Sequence, residues 1–168
     1  ANLQIGTLRS ELLVAAVTPW DTLLAEKKHG LYLISIADPD QPKLLTNYPE
    51  LSPRDFALSP DGKRAYVMEM AHDKAPPDKK FGLSIIDIAN PQMPVLAGRI
   101  DGDFMTMHLS PDGKYLYLQE RTLKPEFSRG LLVYSLGSDG AKLSCSNPFG
   151  EGGWFGKPVF AYSFASFP

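Results

Sequence analysis

The stretch "LSPDGKRAYV" that begins at Leu58 returns 51 residues later as "LSPDGKYLYL" from Leu109. A second signature, Gly-Leu followed by alternating apolar residues, occurs three times: "GLYLISIADPDQP" from Gly30, "GLSIIDIANPQMP" from Gly82 and "GLLVYSLGSDG" from Gly130. These copies are spaced by 52 and 48 residues, and the two signatures keep the same order wherever both are present. Self-similarity at a period of about 50 residues constrains the fold more than any local propensity, because one such unit cannot cover its own apolar faces and must stack on its neighbours.

Each unit reads as four short strands, A to D. In the second unit they fall at 55–58, 64–70, 83–88 and 95–100, and in the third at 104–109, 115–120, 131–136 and 142–146. The first has B at 12–17, C at 31–36 and D at 43–47, with A near 3–8 and no Ser-Pro-Asp-Gly turn. "LYLISI" and "AYVMEM" alternate with the period of two that a sheet requires. Gly62 and Gly113 supply the positive φ of a hairpin corner, and Asp61 and Asp112 cap it. Pro39, Pro42, Pro91 and Pro94 shape the loops from C to D. The expected fold is therefore all-β: a β-propeller segment of three four-stranded antiparallel blades plus the first strand of a fourth, with a β-sandwich as the alternative. The blades are expected at about 1–50, 51–100 and 101–149, with a loop and the fourth blade's opening strand over 150–168. Three blades fall short of the usual four to eight of a closed ring, so other blades, of the same protein or of a second copy, are expected partners. Leu12, Val14, Leu31, Leu33, Leu131 and Val133 are the apolar residues that such terminal blades would otherwise expose.

Composition narrows function without naming it. The net charge of −2 gives no electrostatic case for nucleic acid. No apolar run reaches the length of a membrane span, and the first residues lack the pattern of a signal peptide. Cys145 is the single cysteine, which excludes an internal disulfide. His29, His72 and His108 occupy different positions relative to their strands, so no metal is expected. Ser59 and Ser110 belong to turns, and no nucleophile elbow, phosphate loop or dinucleotide fingerprint is present. No catalytic residue and no cofactor is assigned.

The quoted blades resemble those of bacterial propellers with YVTN-type and LVIVD-type repeats, in which a Ser-Pro-Asp-Gly turn joins strands A and B. The first unit departs from that pattern by lacking the turn, and the third by lacking both prolines after strand C. The resemblance implies a bacterial protein, periplasmic or extracellular. It is compatible with a non-catalytic binding or interaction module, and with the propeller part of a lactonase-like or periplasmic redox enzyme.

In such a blade the A–B and C–D turns share one end, and the longer B–C and D–A loops share the other. Variable loops on a rigid repeat are where recognition is normally placed. The candidate ligand-binding residues are accordingly Arg54, Asp55, Asp101 and Asp103 at the D–A corners, Lys79, Lys80 and Arg129 at the ends of B–C loops, and Trp154 and Phe155 in the glycine-rich "GEGGWFG". A protein or small ligand is the expected partner on that face.

Overall fold

A computed structural model describes residues 2–8, 11–18, 30–49, 51–69, 81–121, 129–137 and 140–148. Twelve strands are defined among them, and no helix. β1 (Asn2–Leu8), β2 (Leu12–Thr18), β3 (Gly30–Ser35) and β4 (Lys43–Tyr48) form one antiparallel sheet in sequence order. β5 (Pro53–Leu58), β6 (Arg64–Glu69), β7 (Gly82–Asp87) and β8 (Val95–Asp101) form a second. β9 (Phe104–Leu109), β10 (Tyr115–Arg121), β11 (Arg129–Gly137) and β12 (Gly140–Pro148) form a third. The chain divides into two compact units: Ala1–Gly102 holds the first two sheets, and Asp103–Pro168 holds the third. The strand expected within 150–168 lies outside the described residues.

The Ser-Pro-Asp-Gly corners are alike in atomic detail. Gly62 N–H donates to Ser59 O at 2.8 Å, and Gly113 N–H donates to Ser110 O at 2.8 Å. Both glycines are left-handed, with φ of 69° and 70°, a conformation open to Gly at little steric cost. Ser59 Oγ donates to Asp61 Oδ1 at 2.6 Å and accepts from Arg64 N–H at 2.9 Å, locking the turn to the strand that leaves it. Ser110 repeats this with Asp112 at 2.7 Å and Tyr115 N–H at 2.9 Å. Asp61 is held below the ordinary carboxylate pKa, first by the Ser59 hydroxyl and then by the Lys63 N–H. Ser110 and Lys114 lower Asp112 in the same order.

Three further features recur in register. At the far end of strand C, Ile36, Ile88 and Leu136 each donate a backbone N–H, at 2.8 Å, to the carbonyl of the residue just before strand B: Glu11, Lys63 and Lys114. The first unit keeps this bond although it lacks the turn motif. A β-bulge interrupts the C–D pairing at Leu33/Ile34, Ile85/Ile86 and Val133/Tyr134, and bulges of this kind increase local twist. The Gly-Leu signature also acquires a cause. A Cβ on Gly82 would collide with Ile100 O, and one on Gly30 with Tyr48 O, so the first residue of strand C is pressed against the backbone of strand D.

Within the first unit the core lies between the first two sheets. Val14, Ala16, Leu31 and Leu33 present one face of the first sheet, and Ala65, Val67 and Ile86 answer from the second. All seven are 2% exposed or less, so Val14, Leu31 and Leu33, expected on the open face of a terminal blade, instead lie on the face that the second sheet covers. Period-two alternation sets this face, since Val14 pairs with Leu33 and Ala16 with Leu31 across β2 and β3.

Candidate functional site

The ends of the second sheet differ in kind. The A–B and C–D turns at one end are occupied by their own hydrogen bonds: besides the Asp61 corner, Asn90 Oδ1 accepts from Gln92 N–H at 3.1 Å, as Asp38 Oδ1 accepts from Asp40 N–H at 3.1 Å in the first sheet. At the opposite end, where β6 finishes and β5 and β7 begin, charged side chains collect.

Glu69 closes β6 and is 3% exposed. Its Oε2 accepts from Arg99 Nη1 at 2.7 Å and from the Ser84 hydroxyl at 3.3 Å. Arg99 Nη1 also lies 3.1 Å from Ser84 Oγ, and Arg99 Nε donates to Asp101 Oδ1 at 3.0 Å. Glu69, Ser84 and Arg99 come from β6, β7 and β8, so the network ties three strands together. Ser84 pairs with both Val67 and Arg99, which places the network on the face of the second sheet that packs against the first. A carboxylate so buried requires such a partner, because an isolated charge there would carry the full cost of desolvation.

Arg54 and Asp55 lie on the first strand of the same sheet. Pro53 pairs with Glu69 and Asp55 with Met68, so Arg54 is the extra residue of a β-bulge, a device that redirects a side chain. Asp55 Oδ1 accepts from Phe56 N–H at 2.8 Å. Asp101 ends the fourth strand, three strand spacings or roughly 14 Å across the sheet from Arg54. These two candidates share an end of the sheet but sit at opposite edges of it. Asp103 belongs to the second unit, where it is partly exposed just ahead of β9. Arg129 is not in a loop, as expected, but opens β11, which starts earlier than its apolar run suggests. Lys79, Lys80, Trp154 and Phe155 lie outside the described residues. Among the described residues no three His, Cys, Asp or Glu side chains are grouped to hold a metal ion, and no helix is long and apolar enough to cross a membrane.

Glu69, Ser84 and Arg99 escaped the sequence reading. One signal for Glu69 was present: it interrupts the apolar "AYVMEM", and Glu120 stands at the same place in "LYLQER".

No protein-family profile and no curated protein matches the chain. Solved structures do. A candidate 6-phosphogluconolactonase from Bacteroides uniformis is 18% identical, with a TM-score of 0.59 over 88% of this chain and 41% of that one. A second, from Bacteroides fragilis, is 19% identical, with a TM-score of 0.53 over 88% and 42%. Hydrazine synthase of Kuenenia stuttgartiensis is 17% identical, with a TM-score of 0.51 over 82% and 47%. The chain thus spans less than half the length of each. With three sequential four-stranded antiparallel sheets, these likenesses establish the fold as a partial β-propeller, each sheet a blade.

Proposed function

We propose that this chain is part of a larger propeller, built from repeats of the YVTN/LVIVD type, that serves as a non-catalytic binding or interaction module in the periplasm or outside the cell. Its recognition surface is the end bearing the B–C and D–A loops, with Arg54, Asp55, Asp101, Asp103, Lys79, Lys80, Arg129, Trp154 and Phe155 as the contacting residues. The observation that supports this reading is the contrast between the two ends of the second blade. The turn end spends its polar groups on its own corners, whereas the other end carries Arg54 on a bulge and the partly exposed Arg99 and Asp101. Glu69, held by Arg99 and Ser84, acts as a brace rather than a proton donor or acceptor.

A second reading, the propeller part of an enzyme, is favoured by one observation: two of the matching structures are candidate 6-phosphogluconolactonases. Offering 6-phosphogluconolactone to the complete protein separates the two readings. The binding reading expects ring opening at the spontaneous rate, with any affinity for 6-phosphogluconate seen by calorimetry and weakened by Lys79→Ala with Lys80→Ala. Saturable acceleration that Arg54→Ala or Asp55→Asn removes would replace it with the enzyme reading.

A further inference from the structure

Asp is followed by Gly four times, at Asp61, Asp101, Asp112 and Asp139. In an unconstrained chain such a pair rearranges readily, because glycine places no side chain in the way of its own backbone nitrogen. The nitrogen attacks the aspartate Cγ and a Cγ–N bond forms. The Cγ–O bond breaks as one carboxyl oxygen leaves as water, with the carboxyl proton and the glycine amide proton. Water then adds to the five-membered succinimide. Where it opens the ring at the main-chain carbonyl, the original peptide C–N bond breaks and the chain runs on through Cγ as isoaspartate. The water lost in the first step is regained in the second. Two things are needed: a glycine nitrogen free to swing toward the side chain, and a carboxyl group that can carry a proton.

Asp139 lies outside the described residues, and at the other three pairs both groups are tied down. Gly62 N–H donates to Ser59 O and Gly113 N–H to Ser110 O, each at 2.8 Å, and Gly102 N–H donates to Phe81 O at 3.1 Å. Asp61 Oδ1 accepts from the Ser59 hydroxyl at 2.6 Å and from Lys63 N–H at 3.1 Å. Asp112 Oδ1 accepts from the Ser110 hydroxyl at 2.7 Å and from Lys114 N–H at 3.0 Å. Asp101 Oδ1 accepts from Arg99 Nε at 3.0 Å. Donors of this kind favour the ionised carboxylate, whose oxygen cannot leave as water, and the depressed pKa values of Asp61 and Asp112 agree with this. Burial is not the protection, since Asp61, Asp101 and Asp112 are all exposed.

We propose that Asp61, Asp101 and Asp112 are latent isoaspartate sites, each disarmed in the fold by a bond on the glycine N–H together with a bond on the carboxylate, and released when its corner opens. Asp101 is released most readily: the Gly102 bond is the longest of the three, and the ion pair to the 30% exposed Arg99 side chain is weakened by salt. Gly62, by contrast, is buried. Each rearrangement is lasting, because isoaspartate adds an atom to the main chain and the turn bond can no longer close on its former partner. The chemistry is independent of what the loop end binds, although at Asp101 it would alter a residue of that end.

Peptide mapping of the complete protein after storage near neutral pH tests the assignment, since an isoaspartyl peptide elutes apart from its parent at unchanged mass. At all three sites isoaspartate is expected to accumulate more slowly in the fold than in concentrated urea by about tenfold or more, as groups that react only through local opening do. In the fold Asp101 should lead and should quicken with added salt, and Asp61 ahead of Asp101 would overturn the ranking. Ser59→Ala removes the hydroxyl from one corner and is expected to raise the rate at Asp61 several-fold while Asp101 and Asp112 keep theirs. Ser110→Ala should do the same at Asp112 alone, and serves should the first variant fold poorly. Equal rates in the fold and in urea would overturn the proposal. So would serine variants that quicken all the sites alike, which is general unfolding, or that quicken none.

Discussion

Gly62 and Gly113 sit where a branched side chain meets its steepest backbone penalty, at φ of 69° and 70°. Gly62→Val or Gly113→Val is expected to cost on the order of 1–2 kcal/mol or more, read as a fall in the urea midpoint. The neighbouring carboxylates make the same corners sensitive to acid. Their native pKa values are depressed, so their stabilisation is complete above the unfolded-chain value of about 4 and is lost as pH falls through the lower native value. Asp61→Asn with Asp112→Asn should therefore flatten the decline of the urea midpoint between about pH 5 and pH 2, and an unchanged decline would assign the acid sensitivity elsewhere. These corners were legible from the residues alone because every partner lies within six consecutive positions. The double use of the Ser59 hydroxyl was less so, as it needs the strand's return to bring Arg64 N–H within 2.9 Å.

Along a strand, what a position tolerates depends on the neighbouring strand. Gly82→Ala would drive a methyl group into Ile100 O, a backbone atom that cannot move alone, and is expected to cost about 1–3 kcal/mol. Gly98→Ala meets Ile85 Cδ1 at an ordinary 3.7 Å and should be neutral or stabilising by up to about 1 kcal/mol. Thermal melts of the two variants should thus move in different directions or by clearly different amounts. Arg99→Met removes the guanidinium that Glu69 relies on and should cost about 3 kcal/mol, the low end for a broken buried pair because the Arg99 side chain is 30% exposed. Adding Glu69→Met should recover part of that loss, and a double-mutant cycle with no coupling would show that the brace is idle. Strands B and C of each unit were readable from their alternation. The bulges and the Glu69–Arg99 pair were not, since they depend on which residues meet across strands rather than on any spacing within one.

At the scale of stacked repeats, stability is shared between each sheet and its interface with the next, and within the first unit that interface joins the first two sheets. Leu33→Ala opens a cavity in the sealed core between the first two blades and is expected to cost about 2–5 kcal/mol. Ile34→Ala, one residue along but on the other face, should cost clearly less in the 168-residue chain, and equal losses by urea denaturation would mean that both faces are sealed. The number of units was apparent from their spacing, and the Gly-Leu signature marked each strand C. Which face of a unit is covered was not, because Leu33 and Ile34 are equally apolar as letters and differ only in what lies opposite them. The bulge shared by all three C–D pairings carries a consequence for ancestry and engineering. It pins the register of its own hairpin from inside the unit, as the hydrogen bond from the end of strand C pins the corner, so a unit brings its internal alignment with it when copied. Duplication or deletion of one whole unit then alters only the seams, and a chain of this kind can lengthen or shorten by about fifty residues at a stroke while its individual sheets keep their geometry. A graft of the second unit between the first and third is the natural experiment, with its success decided at the two new seams rather than within the insert.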